Sequence, residues 1–218
     1  MIISLSATIK SILQNIKLGC IYTEVSNSGK NDKLWSEIDQ YVAKISNFTT
    51  EQIKQIPQIA NTRVAYKTLG KEPSRYRPSA EALMRRIILN KSLYNVNTVV
   101  DTINLASIAT GYSIGGYDAS KIMGDIVLDR ANKHIEYESI GRGKLNIEGL
   151  PVLFDDIGAF GSPTSDSFRT SIDLDTKNIL IVVFNFGVLS GFENDLNFIS
   201  ELFVKYTNSK NIQIQIFD

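Results

Sequence analysis

The hydrophobic period of this chain changes at Gly111, and that change limits the folds open to it. Before Gly111 apolar residues recur at helical spacing. Leu34, Trp35, Ile38, Tyr41, Val42 and Ile45 in "NDKLWSEIDQYVAKI" share one face, with Asn31 or Asp32 available as the N-cap, and a short helix "TTEQIKQI" stops at Pro57. After Gly111, "GDIVLDRA", "HIEYESIG", "LPVLFDDIG", "NILIVVFNF" and "NIQIQIFD" read as strands punctuated by Gly, Asn and Pro. One helix, "NDLNFISELFVKY", lies between the last two and is apolar through Leu196, Ile199, Leu202 and Phe203. Helices followed by strands give an α+β fold, with helices packed on a mixed or sandwich-like sheet. The opening third adds a strand in "GCIYTEVSNSG", so residues 1–60 are expected to form an α/β extension packed on a core of residues 61–218.

Several chemistries lack their residues. A single cysteine, Cys20, cannot form an internal disulfide, and a single histidine, His134, cannot supply the usual zinc or catalytic clusters. A reducing, cytoplasmic compartment is expected, with no cofactor and no metal. The opening "MIISLSATIKSILQNIKLGC" has no basic n-region and is interrupted by Lys10 and Lys17, so neither a signal peptide nor a membrane span is expected. There is no GxxxxGK[ST], no GxGxxG after a strand and no GxSxG. Adjacent carboxylates Asp155 and Asp156 would point to opposite faces of a strand, which favours turn solvation over metal binding. His134 belongs in an exposed turn.

Basic and acidic residues balance at 23 each, which is not the composition of a general nucleic-acid binder. Their distribution is uneven. From Arg63 to Lys91 there are eight basic residues against Glu72 and Glu81, a local charge of +6. Within this stretch, "SRYRPSAEALMRRI" places a helix start at Pro78 and an apolar stripe at Ala80, Leu83, Met84, Ile87 and Ile88. Glu81 and Arg85 fall four apart on an outward face. Arg75, Tyr76 and Arg77 precede the helix, and two readings are open for them. They form an RNA-binding surface with Arg85 and Arg86, Tyr76 stacking on a base. Alternatively Arg75 or Arg77 clamps the fold by bridging to Asp101 or to loop carbonyls.

The next helix, "VNTVVDTINLASIAT", packs through Val96, Val99, Val100, Ile103 and Ala106, and aligns Asn97, Asp101 and Asn104 on another face. These are poor helix formers, so either a ligand or local hydrogen bonding holds them there. The loop "GAFGSPTSDSFRTS" combines Gly158 and Gly161, where backbone can approach closely, with the polar groups of Ser162, Thr164, Ser165, Asp166 and Ser167.

In this order, "SRYRPSAEALMRRI", "NVNTVVDTINLASIATGYSIGGYD", a Gly-rich loop and "TKNILIVVFNF" resemble the B3/B4 domain of the phenylalanyl-tRNA synthetase β subunit, and more closely its free-standing bacterial forms. The resemblance covers roughly residues 60 to 190. It implies an α+β fold containing a β-sandwich, with a pocket between its halves where the synthetase hydrolyses tyrosine esterified to the tRNA. Matched to the family's "VVDxTN", residues Asp101 and Asn104 would line that pocket, and Gly158 through Ser167 would form its Gly-rich wall.

The implied function is a tRNA-binding protein, either a trans-editing deacylase of aminoacyl-tRNA or a non-catalytic module for RNA or a free amino acid. In the first case Asn104 would position water, and amides of Gly158 and Gly161 would stabilise the oxyanion. Gly115, Ser162, Thr164, Ser165 and Val182 would complete the pocket. Two departures separate this chain from the synthetase: Gly115 stands where it carries a histidine, and Val182 where it presents the glutamate that reads the tyrosine hydroxyl. Tyrosine specificity is therefore not expected here. The sequence leaves the oligomeric state open.

Overall fold

A computed structural model of the chain describes residues 2–141, 143–188 and 190–218. In chain order the elements are β1 (Ile3–Leu5), α1 (Ala7–Ile12), β2 (Ile16–Glu24), α2 (Asp32–Ile45), α3 (Thr50–Gln55), α4 (Pro57–Thr68), α5 (Ser79–Ile88) and α6 (Thr98–Thr110). They continue with β3 (Ser113–Asp118), β4 (Ile126–Arg130), β5 (Glu138–Ser139), β6 (Gly143–Lys144), β7 (Pro151–Phe154), β8 (Ala159–Gly161), β9 (Asn178–Phe186), α7 (Phe192–Thr207) and β10 (Lys210–Phe217). The fold is α+β.

Two four-stranded sheets, ordered β1-β4-β7-β8 and β10-β2-β9-β3, lie face to face. Leu18, Cys20, Leu180, Val182 and Phe184 from the second sheet meet Ile126, Leu128, Leu153 and Phe160 from the first. On the opposite face of the second sheet, Ile21, Ile179, Ile181 and Val183 pack under α2, α3, α5, α6 and α7. Period-two alternation sends neighbouring residues of β9 into different cores. Both are apolar, which is why "NILIVVFNF" runs almost unbroken. A third cluster, with Tyr66, Tyr76, Tyr137, Leu150 and Val152, covers the outer side of the first sheet.

β2 lies between β10 and β9, and its register on β9 is continuous from Ile16 opposite Phe186 to Glu24 opposite Asn178. At Gly19 a Cβ would come within 2.8 Å of Leu196 Cδ1 and Phe192 Cζ, so the missing side chain lets α7 settle on the strand. Asn31 caps α2 by accepting from the Lys33 and Leu34 amides, and Thr49 with Gln52 closes a capping box on α3. Pro57 does not end the helical region. It opens α4 in the first helical turn, where a missing N–H costs nothing.

Three other expectations are corrected. Pro78 is the N-cap of α5 and the helix proper starts at Ser79. Val96 is 52 % exposed because it precedes α6, whose N-cap is Asn97, accepting from the Val100 amide. "HIEYESIG" forms only the two-residue β5: His134 adopts φ 65°, and Tyr137 turns inward to donate to the Ser165 carbonyl.

Candidate functional site

The basic segment folds around an acid. Glu81 is fully buried, not outward: Arg63 from α4 reaches it at 2.8 Å, Arg85 at 3.3 Å and Arg77 at 3.7 Å. Three of the eight basic residues thus neutralise one carboxylate and tie α4 to α5. A buried carboxylate without such partners would cost several kcal/mol, on the order of 3–5 for breaking a buried pair. The contacts of Arg77 fit the clamp reading: it bridges to the Ser74 carbonyl of the loop at 3.4 Å and, in addition, to Glu81.

Tyr76 is also turned inward. Its ring is 9 % exposed, Lys71 lies 4.3 Å above it, and Arg75 is stacked at 5.7 Å. A ring covered this way has no face left for a base. The Tyr76 carbonyl accepts from the Thr164 hydroxyl, and the Ser79 amide donates to the Pro163 carbonyl, so "RYRPS" latches α5 onto the loop after β8.

An aromatic group beside this segment that does face solvent is Tyr94, 65 % exposed, with the Arg86 guanidinium 3.9 Å over its ring. Arg86 is fixed by donating to the Ser92 carbonyl at 2.6 Å. Lys91 and Arg75 are exposed as well. Tyr94 was not singled out from the sequence. It sits in a polar loop, and only the turn after α5 carries the chain back along the helix to Arg86.

Asp101 is fully buried and accepts from Trp35 Nε1 at 2.8 Å, Asn95 Nδ2 at 2.6 Å and the Val96 amide at 3.0 Å. Burial pushes its carboxyl up, and the three donors counter part of that shift. It fastens α2 and the 89–97 loop to α6. Local hydrogen bonding therefore accounts for both Asn97 and Asp101.

The loop after β7 spends its polar groups on itself. The Gly158 amide donates to Asp155, the Thr164 and Ser165 amides to Ser162 Oγ, and the Ser167 amide to the Phe160 carbonyl. Gly161 is paired with Leu153 in the sheet. Asp155, whose side chain is fully buried, is gripped by Arg169 at 2.8 and 3.1 Å and by the Met123 and Ile157 amides. Burial alone would raise its carboxyl; Arg169 and the amides hold it below the usual range. Among the described residues no group of three or more His, Cys, Asp or Glu is placed to hold a metal.

Tyr117 fills the space where these elements converge. It is wholly buried and donates to Asp166 at 2.7 Å. A Cβ at Gly115 or at Gly161 would each come to 2.5 Å from its Cζ, so both glycines are seats for this one ring. Burial lifts Asp166 to about 7 while Tyr117 and the Gly116 and Ser162 amides donate to it. Gly115 pairs with Val182 on β9, so Gly115, Gly161 and Val182 do assemble on the inter-sheet face, around Tyr117. Asn104 belongs to α6, and α6 packs on the other face: Ile103 lies against Gly116, whose direction is opposite to that of Gly115. The strand pair β3-β9 thus separates Asn104's helix from the expected pocket wall.

An open groove of about 590 Å³ lies instead at the far end of the sheets, beside Ile3, Cys20, Tyr22, Leu180, Gln213 and Phe217. Burial pushes the Cys20 thiol up to about 12, which leaves it little thiolate at neutral pH.

Two facing sheets, with helices on one outer face, define an α+β sandwich whose polar residues are largely consumed in joining its parts. The chain belongs to the B3/4 domain family, whose model matches residues 61–209. Among solved structures it is similar to an N-terminal fragment of the phenylalanyl-tRNA synthetase β-subunit from Pyrococcus horikoshii, with 16 % identity and a TM-score of 0.49. That similarity covers 99 % of this chain and 50 % of the fragment, so the chain spans about half of it. No curated protein sequence matches significantly. No helix among the described residues is long and apolar enough to cross a membrane.

Proposed function

We propose that this protein is a tRNA-binding B3/B4 module that holds RNA without hydrolysing its ester. The observation that carries this reading is the contrast between Tyr117, which occupies the expected ligand space, and the Arg86–Tyr94 stack, which is open to solvent. A stack of this kind suits an unpaired base, while Arg75 and Lys91 supply phosphate contacts. The printed name of the synthetase fragment points the same way as to ligand class. In this reading residues 61–218 carry the module and residues 1–60 complete its sheet. A buried, unreactive Cys20 suits a cytoplasmic site of action. A free amino acid is not part of the reading, because the cavity expected to take it is filled.

Fluorescence anisotropy with unacylated tRNA at low and rising salt tests it. Binding should weaken steeply with salt, and Lys91→Ala should reduce the slope of log K against log salt by about one phosphate's worth. No affinity at low salt would exclude RNA. Release of amino acid from mischarged tRNA by the purified protein would exclude the non-catalytic form.

A further inference from the structure

A second group of cations lies outside the Glu81 cluster. α4 ends in a Schellman motif: Gly70, at φ 81°, donates its amide to the Lys67 carbonyl, and the Lys71 amide donates to the Tyr66 carbonyl. That turn brings Lys71 over the Tyr76 ring, with Nζ 4.3 Å from the ring centre. Arg130, at the end of β4, donates to the Leu69 carbonyl at 3.4 Å. The two meet at Gly149. It adopts φ 76°, and a Cβ there would come to 3.5 Å from both Arg130 Nη2 and Lys71 Cε. Arg75 adds a third cation, 5.7 Å from the centre of the same Tyr76 ring.

Unlike Arg63, Arg77 and Arg85, none of these three forms an ion pair among the described residues. The nearby carboxylates are engaged elsewhere. Glu72 accepts from the Ser74 amide and faces the charges of Lys67 and Arg63, and Asp129 accepts from Ser6 Oγ and the Arg130 amide. Like charges held side by side by fixed contacts repel, and an anion placed between them relieves that cost. We propose that Lys71 and Arg130, with Arg75 at the rim, hold a backbone phosphate of RNA, a contact separate from the Arg86–Tyr94 stack. This site deepens the RNA-binding reading and rests on it. Continuity with the stack favours RNA over an acidic protein as the occupant. The two features lie at opposite ends of α5, where Ser79 and Arg86 are about 10 Å apart along the axis, a span that a few nucleotides of one strand cover.

Anisotropy with unacylated tRNA over a salt series, joined to lysine-acetylation footprinting by mass spectrometry, tests the site. Arg130→Ala, at an exposed side chain, should weaken binding at low salt by roughly threefold to tenfold. Combined with Lys71→Ala it should reduce the slope of log K against log salt by about one phosphate's worth. Bound tRNA should shield Lys71 from acetylation. Lys177 is the control: it is exposed, at the opposite end of β9 from Phe186, which lines a hollow with Asn61 and Thr68 of α4. Lys177→Ala should leave the slope unchanged. If the parent binds tRNA but Lys71 stays open to acetylation, or the double variant keeps the full slope, this site is overturned and the stack stands. An equal loss in Lys177→Ala, or polyglutamate shielding Lys71 as well as tRNA does, overturns it too. No tRNA binding by the parent overturns the RNA reading itself, and this site with it. Should Lys71→Ala fail to fold, Arg130→Ala and the footprint on the unmodified protein decide.

Discussion

Two regions of this molecule each pair a tyrosine with a charged side chain and use the pair in opposite directions. At the end of the sandwich under β3 and β8, Tyr117, Asp166, Tyr137 and Ser162 point at one another and at backbone. At the corner after α5, Arg86 and Tyr94 stack in the open. Both places join a tyrosine to a charged side chain; the difference lies in whether the ring is enclosed by its partners, as at Tyr117, or left 65 % exposed, as at Tyr94. Polar residues already satisfied by their own chain are poor candidates for ligand contact, because a ligand must first displace a bond.

That contrast can be broken most forcefully at Tyr117. Tyr117→Ala removes a wholly buried ring and the donor to Asp166, and should cost about 4 kcal/mol in denaturant unfolding. Adding Gly115→His to that variant should cost less than Gly115→His alone, because the ring that clashes is gone. Additive costs would mean that Tyr117 does not occupy the glycine seats.

Next is Glu81. Glu81→Gln takes the carboxylate from Arg63 and Arg85 and should destabilise by about 3 kcal/mol, measured the same way. A loss below about 1 kcal/mol would return these arginines to the solvated surface.

Asp166 gives a smaller effect that depends on pH. Burial raises its folded-state carboxyl, which faces Tyr117 and Tyr137, to about 7 from the ordinary 3.8. The folded state therefore holds the proton more tightly than the unfolded chain. The resulting stability is fully present below the unfolded value and is lost as pH rises through about 7. Unfolding free energy should fall by on the order of 2 kcal/mol between pH 5.5 and pH 8 from this group, and Asp166→Asn should flatten that fall. A profile unchanged by the substitution would place the titration elsewhere.

The open corner should behave in reverse. Tyr94→Ala should leave stability within about 0.5 kcal/mol of the parent while lowering tRNA affinity by roughly tenfold, read by anisotropy. Equal losses in stability and binding would make Tyr94 a structural residue.

The change of period at Gly111 anticipated the fold class, and β9 and α7 stood out because their apolar patterns are long. The start of β2, all of α1 and the strand β3 did not. β3 is "SIGGYD", whose two glycines make a weak strand signal and exist to admit Tyr117 on one face and Ile103 on the other. α4 was hidden behind Pro57, which reads as a stop and acts as a start. In the site, sequence reasoning brought Gly115, Gly161 and Val182 to one place but could not see what fills it. Glu81 was read as one half of an exposed helical pair because spacing along a helix says nothing of Arg63 arriving from α4. Asn104 was assigned to the pocket by motif, and the sheet that lies between is a tertiary fact.

The placement of β2 also sets a timetable. Both of its neighbours, β9 and β10, emerge long after it during synthesis, β9 roughly 150 to 170 residues later, which at ribosomal speed is on the order of ten to thirty seconds. For that interval "IKLGCIYTE" is an apolar strand with neither neighbour made, and the helical layer has no finished sheet to settle on. This chain therefore closes its centre last, and its yield in a cell should depend on holdase chaperones and elongation rate more than its final stability would suggest.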